Sequence, residues 1–143
     1  MLLRMFVMLV GSLIVTLLPA PARAATIIVT TGADSGPGSL RQAIADAESG
    51  DTITFAPEVT TVTVTTDQLT IATDLTIDGG TGVIIARSPA ENTPTFRIFQ
   101  ITEGAVTFDS LTLRNGQVID DSSGGGIANA FIRSAKDRRI LPD

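Results

Sequence analysis

Cysteine, histidine, tryptophan and tyrosine are all missing from this chain, and six phenylalanines supply every aromatic ring. The lack of cysteine excludes disulfide bonds, thiolate metal sites, thiol catalysis and a lipid-modified cysteine anchor. The lack of histidine removes the side chain most often used for proton transfer near neutral pH. Stability must therefore come from buried apolar surface, and a catalytic site would have to use carboxylates or basic side chains.

Positive charge is also scarce. The formal net charge is −5, from 10 Lys and Arg against 15 Asp and Glu. Removal of residues 1–24 would make the remainder more acidic, because this segment holds Arg4 and Arg23 and no acidic residue. An acidic surface repels phosphate backbones, and no basic stripe with interleaved aromatic residues is present. We therefore expect no nucleic-acid partner.

Residues 1–24 have the pattern of a cleaved export signal. Arg4 gives a positive start, Met5 to Leu18 is apolar, and Ala22-Arg23-Ala24 matches a small-x-small cleavage site. We expect cleavage after Ala24 and a secreted or cell-surface product. The alternative, a membrane anchor, needs about 18 uninterrupted apolar residues, and prolines interrupt the run after Leu18.

One soluble helix is predicted within the segment from Gly36 to Phe55. Ser39 suits the N-cap, and Gln42 stands where its side chain would reach back to the cap amide in a capping box. Gly50 suits the stop after about three turns. The expected apolar face consists of Leu40, Ala43, Ile44 and Ala47, and the residues expected to point away are Arg41, Asp46 and Glu48. A helix this short is marginal alone in water, so its apolar face must pack on the rest of the fold.

The rest of the chain predicts short strands. Thr26 to Thr31 is a first strand, and apolar residues then alternate with threonine or other polar or small residues. The alternating pairs are Ile53 with Phe55, Val62 with Val64, Leu69 with Ile71, Leu75 with Ile77, Val83 with Ile85, Phe96 with Ile98, Val106 with Phe108, and Leu111 with Leu113. A β-sandwich would use similar strands, but its turns are spaced differently.

A weak internal repeat favours a solenoid instead. The stretch from Leu69 to Gly79 resembles the stretch from Val106 to Gly116, with Asp78-Gly79 and Asn115-Gly116 as polar corners. Residues 87–95 contain two prolines and no alternation, so they are predicted to form a loop. In a solenoid the first coil would expose unpaired amides, and a capping helix would cover them.

The segment ADSGPGSLRQAI at 33–44, followed by GDTITF at 50–55, resembles the N-terminal cap of bacterial secreted parallel β-helix proteins with a pectin-lyase-like fold. One branch carries a Cys-Ser-Leu-Arg-Glu-Ala motif and is related to polymorphic outer-membrane proteins and other adhesin-like proteins. Here Gly38 and Gln42 replace its cysteine and glutamate. The resemblance continues through 75–79, 111–116 and 124–129. It implies an all-β fold, a right-handed parallel β-helix with an N-terminal capping α-helix, but no single chemistry, since the fold hosts adhesins, lyases and glycosidases.

Residues 131–143 differ from the preceding chain, because they lack alternation and are basic. The basic residues are Arg133, Lys136, Arg138 and Arg139. We expect a signal peptide over 1–24, a capped β-helix segment over 25–130 and an atypical tail over 131–143, consistent with a truncated or frameshifted end. The alternative is a natural basic tail with its own role. A premature end would leave an open edge near Leu111 to Leu113 and favour edge-to-edge self-association.

Carboxylates offer the main candidates for catalysis. Asp120-Asp121 is the most suggestive pair, with Asp109 and Arg114 a strand away. Adjacent residues of a strand face opposite sides, so a solvated corner is the simpler interpretation of the pair. Asp78-Gly79-Gly80 is interpreted as a turn in which the carboxylate accepts local amides, since its spacing matches neither an EF-hand nor the nine-residue calcium repeat.

Two further groups of side chains have binding and structural interpretations. Arg87, Arg97 and Arg114 are expected to lie outward; a row of them would suit acidic glycans, but the net negative charge opposes this. Phe96, Phe99 and Phe108 would suit sugar stacking, but core packing is preferred. We predict no catalytic, cofactor or metal site, and a non-catalytic adhesin-like protein with surface glycans or matrix proteins as partners. The alternative is the N-terminal part of a polysaccharide lyase or glycoside hydrolase.

Overall fold

The computed structural model describes residues 23–117, 127–129 and 139–140. The elements in chain order are β1 (Thr26–Val29), α1 (Leu40–Asp46), β2 (Asp51–Phe55), β3 (Thr61–Val64), β4 (Leu69–Ile71), β5 (Leu75–Arg87), β6 (Phe99–Ile101), β7 (Val106–Arg114), β8 (Ile127–Asn129) and β9 (Arg139–Ile140). The signal-peptide core, the pair Asp120-Asp121 and most of the basic tail lie outside these described residues. Within the described chain, no helix is long and apolar enough to cross a bilayer.

Every strand pair of the described residues is parallel, and the strands form a β-solenoid of about three turns. This confirms the predicted solenoid over the sandwich, whose sheets are antiparallel. The first face consists of β1, β2 and the opening halves of β5 and β7. The second face consists of β3, the closing halves of β5 and β7, and β9. The third face consists of β4, β6 and β8.

The core is a column of apolar side chains stacked from coil to coil. On the first face, Ile53 pairs with Ile77, and Ile77 pairs with Phe108. On the third face, Leu69 pairs with Phe99, and both are buried. Alternation with period two places these residues inward and the intervening threonines outward. Since burial of each large apolar side chain is worth about 1.5–3 kcal/mol, the column supplies the main stabilisation of a chain without disulfides.

The helix agrees with the sequence at its start and differs at its end. The Ser39 side chain accepts a hydrogen bond from the Gln42 backbone N–H at 3.2 Å, as predicted for the N-cap. The reciprocal arm of the capping box is wrong, because the Gln42 side-chain amide donates to Asp46 at 2.8 Å instead. The helix is also shorter than predicted, since its C-cap is Ala47 in extended conformation rather than Gly50. The predicted apolar face packs on the core, with Leu40 and Ala43 buried.

The internal repeat is real, but its predicted alignment is wrong. Leu75-Thr76-Ile77-Asp78 pairs with residues 106–109, and Val83 opens a second run that pairs with 111–114. Asp78-Gly79 therefore stacks on the Asp109-Ser110 bend and not on Asn115-Gly116. Short strands of alternating apolar residues and threonine match each other in several registers, and here the corners decide among them. Gly79–Gly82 fills the corner that Ser110 alone fills in the next coil.

Two other expectations change in the later coils. The predicted strand through Phe96 and Ile98 is replaced by β6, because Ile98 and Phe99 are both buried and the inward alternation restarts at Phe99. The predicted loop after β5 is confirmed; we call residues 88–98 the proline loop. The predicted open edge at Leu111 to Leu113 is wrong in part, because Thr112 and Leu113 pair with β9.

Candidate functional site

A ladder of threonines runs down the outer side of the first face. Thr26 pairs with Thr52, Thr52 with Thr76, and Thr76 with Thr107, so one threonine from each successive coil occupies the same position. Thr26 and Thr107 are exposed, and the two between them are half-buried. Neighbouring strands lie about 4.8 Å apart, so the threonine positions repeat at about that spacing from coil to coil. We call this row the threonine ladder.

A second outward column lies two residues further along these strands. Ile28 pairs with Thr54, and Asp78 pairs with Asp109. Ile28 is the exposed large apolar side chain of the described residues, with 57% of its surface accessible. The column therefore changes from apolar to acidic along the solenoid axis. The face thus presents regular hydroxyls, one apolar contact at its N-terminal end and carboxylates at the other.

Asp78 and Asp109 bond to their own turns. The Asp78 carboxylate accepts from the Gly80 N–H at 2.8 Å, which confirms the predicted turn. The Ser110 hydroxyl donates to Asp109 at 3.2 Å. Asp78 and Asp109 lie side by side on neighbouring strands, whereas the Asp120-Asp121 pair that the sequence placed near Asp109 lies outside the described residues. Among the described residues, no group of three or more acidic side chains is arranged to hold a metal ion.

Asp34 and Arg41 form a partly buried junction between α1 and the corner before β4. Their charged atoms lie 2.7 Å apart, and the Asp34 side chain is only 9% exposed. The Asp34 carboxylate also accepts from the Thr65 hydroxyl and from the backbone and side chain of Thr66. Burial by itself raises the pKa of Asp34, but the hydrogen bonds from Arg41 and Thr66 outweigh it and lower the pKa below its usual value.

Arg41 does not point away from the fold as the sequence predicts. Its guanidinium donates to the carbonyl of Asp67 at 2.7 Å and to that of Gln68 at 3.0 Å, just before β4. These carbonyls lie on the side of β4 that faces the helix, because β4 pairs with β6 on its other side and α1 contacts β4. Helical periodicity placed Arg41 outside the apolar face, but it carried no information about a corner of the next coil beside it.

Two aspartates join the coils at the entrance to the first face. The Asp51 carboxylate accepts from the backbone N–H groups of Ala25 at 2.7 Å and Glu48 at 2.8 Å. These bonds lower the pKa of Asp51 below its usual value, against the opposite effect of burial. The Asp74 carboxylate accepts from the Ala105 N–H at 2.7 Å, one coil further on. Both carboxylates therefore satisfy backbone donors of a neighbouring coil.

Arg87 corrects the expectation that its side chain lies outward. It is the last residue of β5, has the inward alternation and is 7% exposed. Its guanidinium donates to the carbonyls of Asn115 at 2.8 Å and Pro94 at 3.3 Å and lies over the Phe96 ring. Arg87 thus anchors the proline loop and does not belong to an outward basic row. Of the other two arginines, Arg97 is half-buried and Arg114 is exposed.

The three phenylalanines considered for sugar stacking pack inside the solenoid, as the sequence predicts. Phe96 and Phe99 are buried, and Phe108 is half-buried against the core. The rings of Phe99 and Phe108 have centroids 4.8 Å apart and are tilted by 45°. This arrangement is typical of aromatic packing in a core and leaves no described phenylalanine platform for a sugar ring.

Sequence reasoning missed the threonine ladder as a feature of one surface. The signal was present, since Thr-Ile occurs at 26–27, 52–53 and 76–77, but only the strand register shows that these threonines align.

No protein-family model matches the chain, and neither do the curated proteins or the solved structures. The candidate site therefore depends on its own geometry.

Proposed function

We propose that this chain is an exported, non-catalytic β-solenoid segment of an adhesin-like protein, and that its first face binds an extended neutral glycan. The threonine ladder is the observation that carries the proposal. Each hydroxyl both donates and accepts a hydrogen bond, and the spacing of about 4.8 Å repeats with every coil. A ligand with its own repeating hydroxyls is the natural match for such a row.

Charge narrows the class of glycan. The chain has a net charge of −5, and Asp78 and Asp109 stand beside the ladder on the same face. These carboxylates repel an acidic polysaccharide and accept hydrogen bonds from the hydroxyls of a neutral one. Ile28, at the other end of the face, offers an apolar contact for the less polar side of a sugar ring.

The second candidate function is a polysaccharide lyase or hydrolase, carried by the paired carboxylates Asp78 and Asp109. It is disfavoured because their described hydrogen bonds run to their own turns. Asp34, Asp51 and Asp74 are likewise bonded to backbone or side-chain donors that join the helix and the coils. These bonds give Asp34, Asp51 and Asp74 structural roles, which supports the binding function over turnover.

Three finer features belong to the same proposal. The coil is right-handed, as parallel crossover connections are in about 98% of cases. α1 caps the first coil, supported by the burial of Leu40 and by the bonds from Arg41 to the carbonyls before β4. Residues 1–24 direct export and are removed after Ala24, supported by the small-x-small pattern and the apolar run before it.

The experiment compares binding and turnover on the same polysaccharides. The purified chain is mixed with insoluble neutral glucans and mannans and, separately, with polygalacturonate in the presence of calcium. We expect retention on at least one neutral polymer and no release of reducing or unsaturated ends from any of them. Release of such ends would overturn the non-catalytic function and support the second candidate.

A matched pair of variants tests the face itself. Thr76→Val with Thr107→Val removes two ladder hydroxyls while keeping side-chain shape and strand propensity. If each hydroxyl contributes about 1 kcal/mol, loss of the two should weaken binding about thirtyfold. Thr70→Val, an exposed position on the third face, is the control and should leave binding unchanged. Equal binding by the ladder variant and the control would contradict the assignment of this face.

A further inference from the structure

Ala25 is the point at which the chain enters the solenoid. Its backbone N–H donates to Asp51 at 2.7 Å, and its carbonyl accepts from the Thr52 N–H at 2.8 Å. Arg23 and Ala24, just before it, are exposed. The bond between Ala24 and Ala25 therefore lies at the surface, immediately before β1 and outside the first hydrogen-bonded residue.

The carboxylate that receives the Ala25 N–H is in an unusual position. Asp51 is the first residue of β2 and is 5% exposed. One of its oxygens accepts from Ala25 and the other from Glu48, both neutral backbone amides. Within the described chain the ion pair is that of Arg41 with Asp34, so no described cation lies against Asp51. These two amides keep the Asp51 carboxylate ionised, and a positive charge in the place of the Ala25 amide would make that hydrogen bond charge-assisted on both sides and stronger.

We propose that cleavage of the Ala24–Ala25 bond creates that positive charge, so that the new α-ammonium group of Ala25 forms an ion pair with Asp51 and locks β1 onto β2. Water adds across the peptide bond, Ala24 leaves with a carboxylate, and Ala25 gains an amine that binds a proton at neutral pH. This inference rests on the cleavage site in the proposed function. It adds a structural role for the mature N-terminus.

The geometry selects one cleavage position. Cleavage one residue earlier would leave the Ala25 nitrogen as a neutral amide. Cleavage one residue later would remove both the donor to Asp51 and the acceptor for Thr52. Only hydrolysis after Ala24 places an ammonium 2.7 Å from the carboxylate while keeping the strand pairing intact.

The other ionisable side chains of the segments that meet here are acidic. Glu48 follows the helix, and Asp74 accepts from the Ser49 hydroxyl at 3.2 Å. Asp51 is itself held ionised by its amide donors. Opposite charges nearby favour the protonated form of an amine, so the pKa of the Ala25 α-amino group should rise above the ordinary range of about 7.7–8.0.

The test uses the full chain, exported with its own leader and then purified. Mass spectrometry first identifies the N-terminal residue, and the α-amine is then carbamylated with cyanate at pH 7. The chain has one lysine, Lys136, so peptide mapping separates the two amines. A rise of one pKa unit reduces the reactive neutral amine about tenfold. We therefore expect carbamylation about tenfold slower than in Asp51→Asn, with Asp74→Asn, on the same corner, within about twofold of the unaltered chain.

A second measurement does not depend on a variant that might fold poorly. The raised pKa of the α-amine gives stability that is present below the unfolded pKa, about 8, and is lost as pH rises through the folded pKa. Between pH 7 and pH 10 the processed chain should therefore lose more thermal stability than the same chain after carbamylation. Equal losses, or equal carbamylation in Asp51→Asn and the unaltered chain, would overturn the ion pair. An N-terminus other than Ala25 would overturn the cleavage site as well, and neither result would affect glycan binding.

Discussion

The junction of Asp34 with Arg41 gives a quantitative prediction about how the helix is held. Asp34→Asn keeps the side-chain shape but removes the charge, and its amide group would face a donor from either Arg41 or Thr66. Hydrogen bonds to charged groups are worth about 1.5–3 kcal/mol each when buried, but Thr66 is exposed and Arg41 is 29% exposed, so water replaces part of what is lost. We therefore expect the free energy of unfolding at pH 7 to fall by about 1–2 kcal/mol. Asp46→Asn, on an exposed turn of the same helix, should change it by about 0.5 kcal/mol or less.

The stability that Asp34 contributes should depend on pH. The pKa of Asp34 is lowered in the folded chain, so its contribution is present above the unfolded pKa of about 3.9 and is lost as pH falls through the folded value. The difference between Asp34→Asn and the unaltered chain should therefore be full at pH 7 and shrink below pH 4. Urea unfolding followed by far-UV circular dichroism suits the measurement, since the chain has no tryptophan or tyrosine for fluorescence. Equal losses in Asp34→Asn and Asp46→Asn at pH 7 would refute the reasoning.

Three further changes test other parts of the solenoid. Gly79→Ala should unfold the chain or lower the free energy of unfolding by more than about 3 kcal/mol, because the added Cβ would overlap a backbone carbonyl of the next coil. Gly80→Ala should lower it by about 1–2 kcal/mol, because Gly80 has a φ of 59° but open space around it. The midpoints of urea unfolding compare the two variants. By the same assay, Phe99→Ala should lower the free energy of unfolding by about 3–5 kcal/mol and Phe99→Leu by about 1.5 kcal/mol or less, because Phe99 is fully buried. Similar losses in the two variants would contradict a packed core position for Phe99. Arg87→Lys should speed proteolytic cleavage in the proline loop, because lysine cannot reproduce the two hydrogen bonds of the guanidinium group. Arg97→Lys is the control and should leave the cleavage rate unchanged. Equal cleavage rates in the two variants would show that Arg87 does not anchor the loop.

Periodicity predicted the interior of the fold well because burial acts on every second residue of a strand. Ile53, Ile77 and Leu69 face the core for the reason that their alternation indicates. The register between coils was not predictable in the same way, because Leu-Thr-Ile pairs almost equally well with any similar segment. The corners decide it, and Ser110 adopts a φ of 53°, which is uncommon for a residue other than glycine, so the sequence did not indicate this left-handed position.

The residues of the candidate site were also predictable only where their partners are close in the sequence. Asp78 was identified as a turn carboxylate from local chemistry, because its partner is two residues away. Arg41 donates to the corner before β4, Arg87 donates to the proline loop, and Asp51 accepts from Ala25, just before β1. No pattern within a single segment indicates such partners. The threonine ladder belongs to the same class, because it exists only once the strand register is known.

The corner between the two halves of β5 shows how this architecture accommodates changes in chain length. Gly79–Gly82 occupies it in one coil and Ser110 in the next, yet strand pairing resumes on both sides. Gly79 packs against the next coil, but an added Cβ at Gly80 or Gly82 would meet open space, so chain length can change at these two positions without disturbing the stacked core. Gly80–Gly82 is therefore the part of this corner best suited to a foreign peptide insertion, which would project at one edge of the first face.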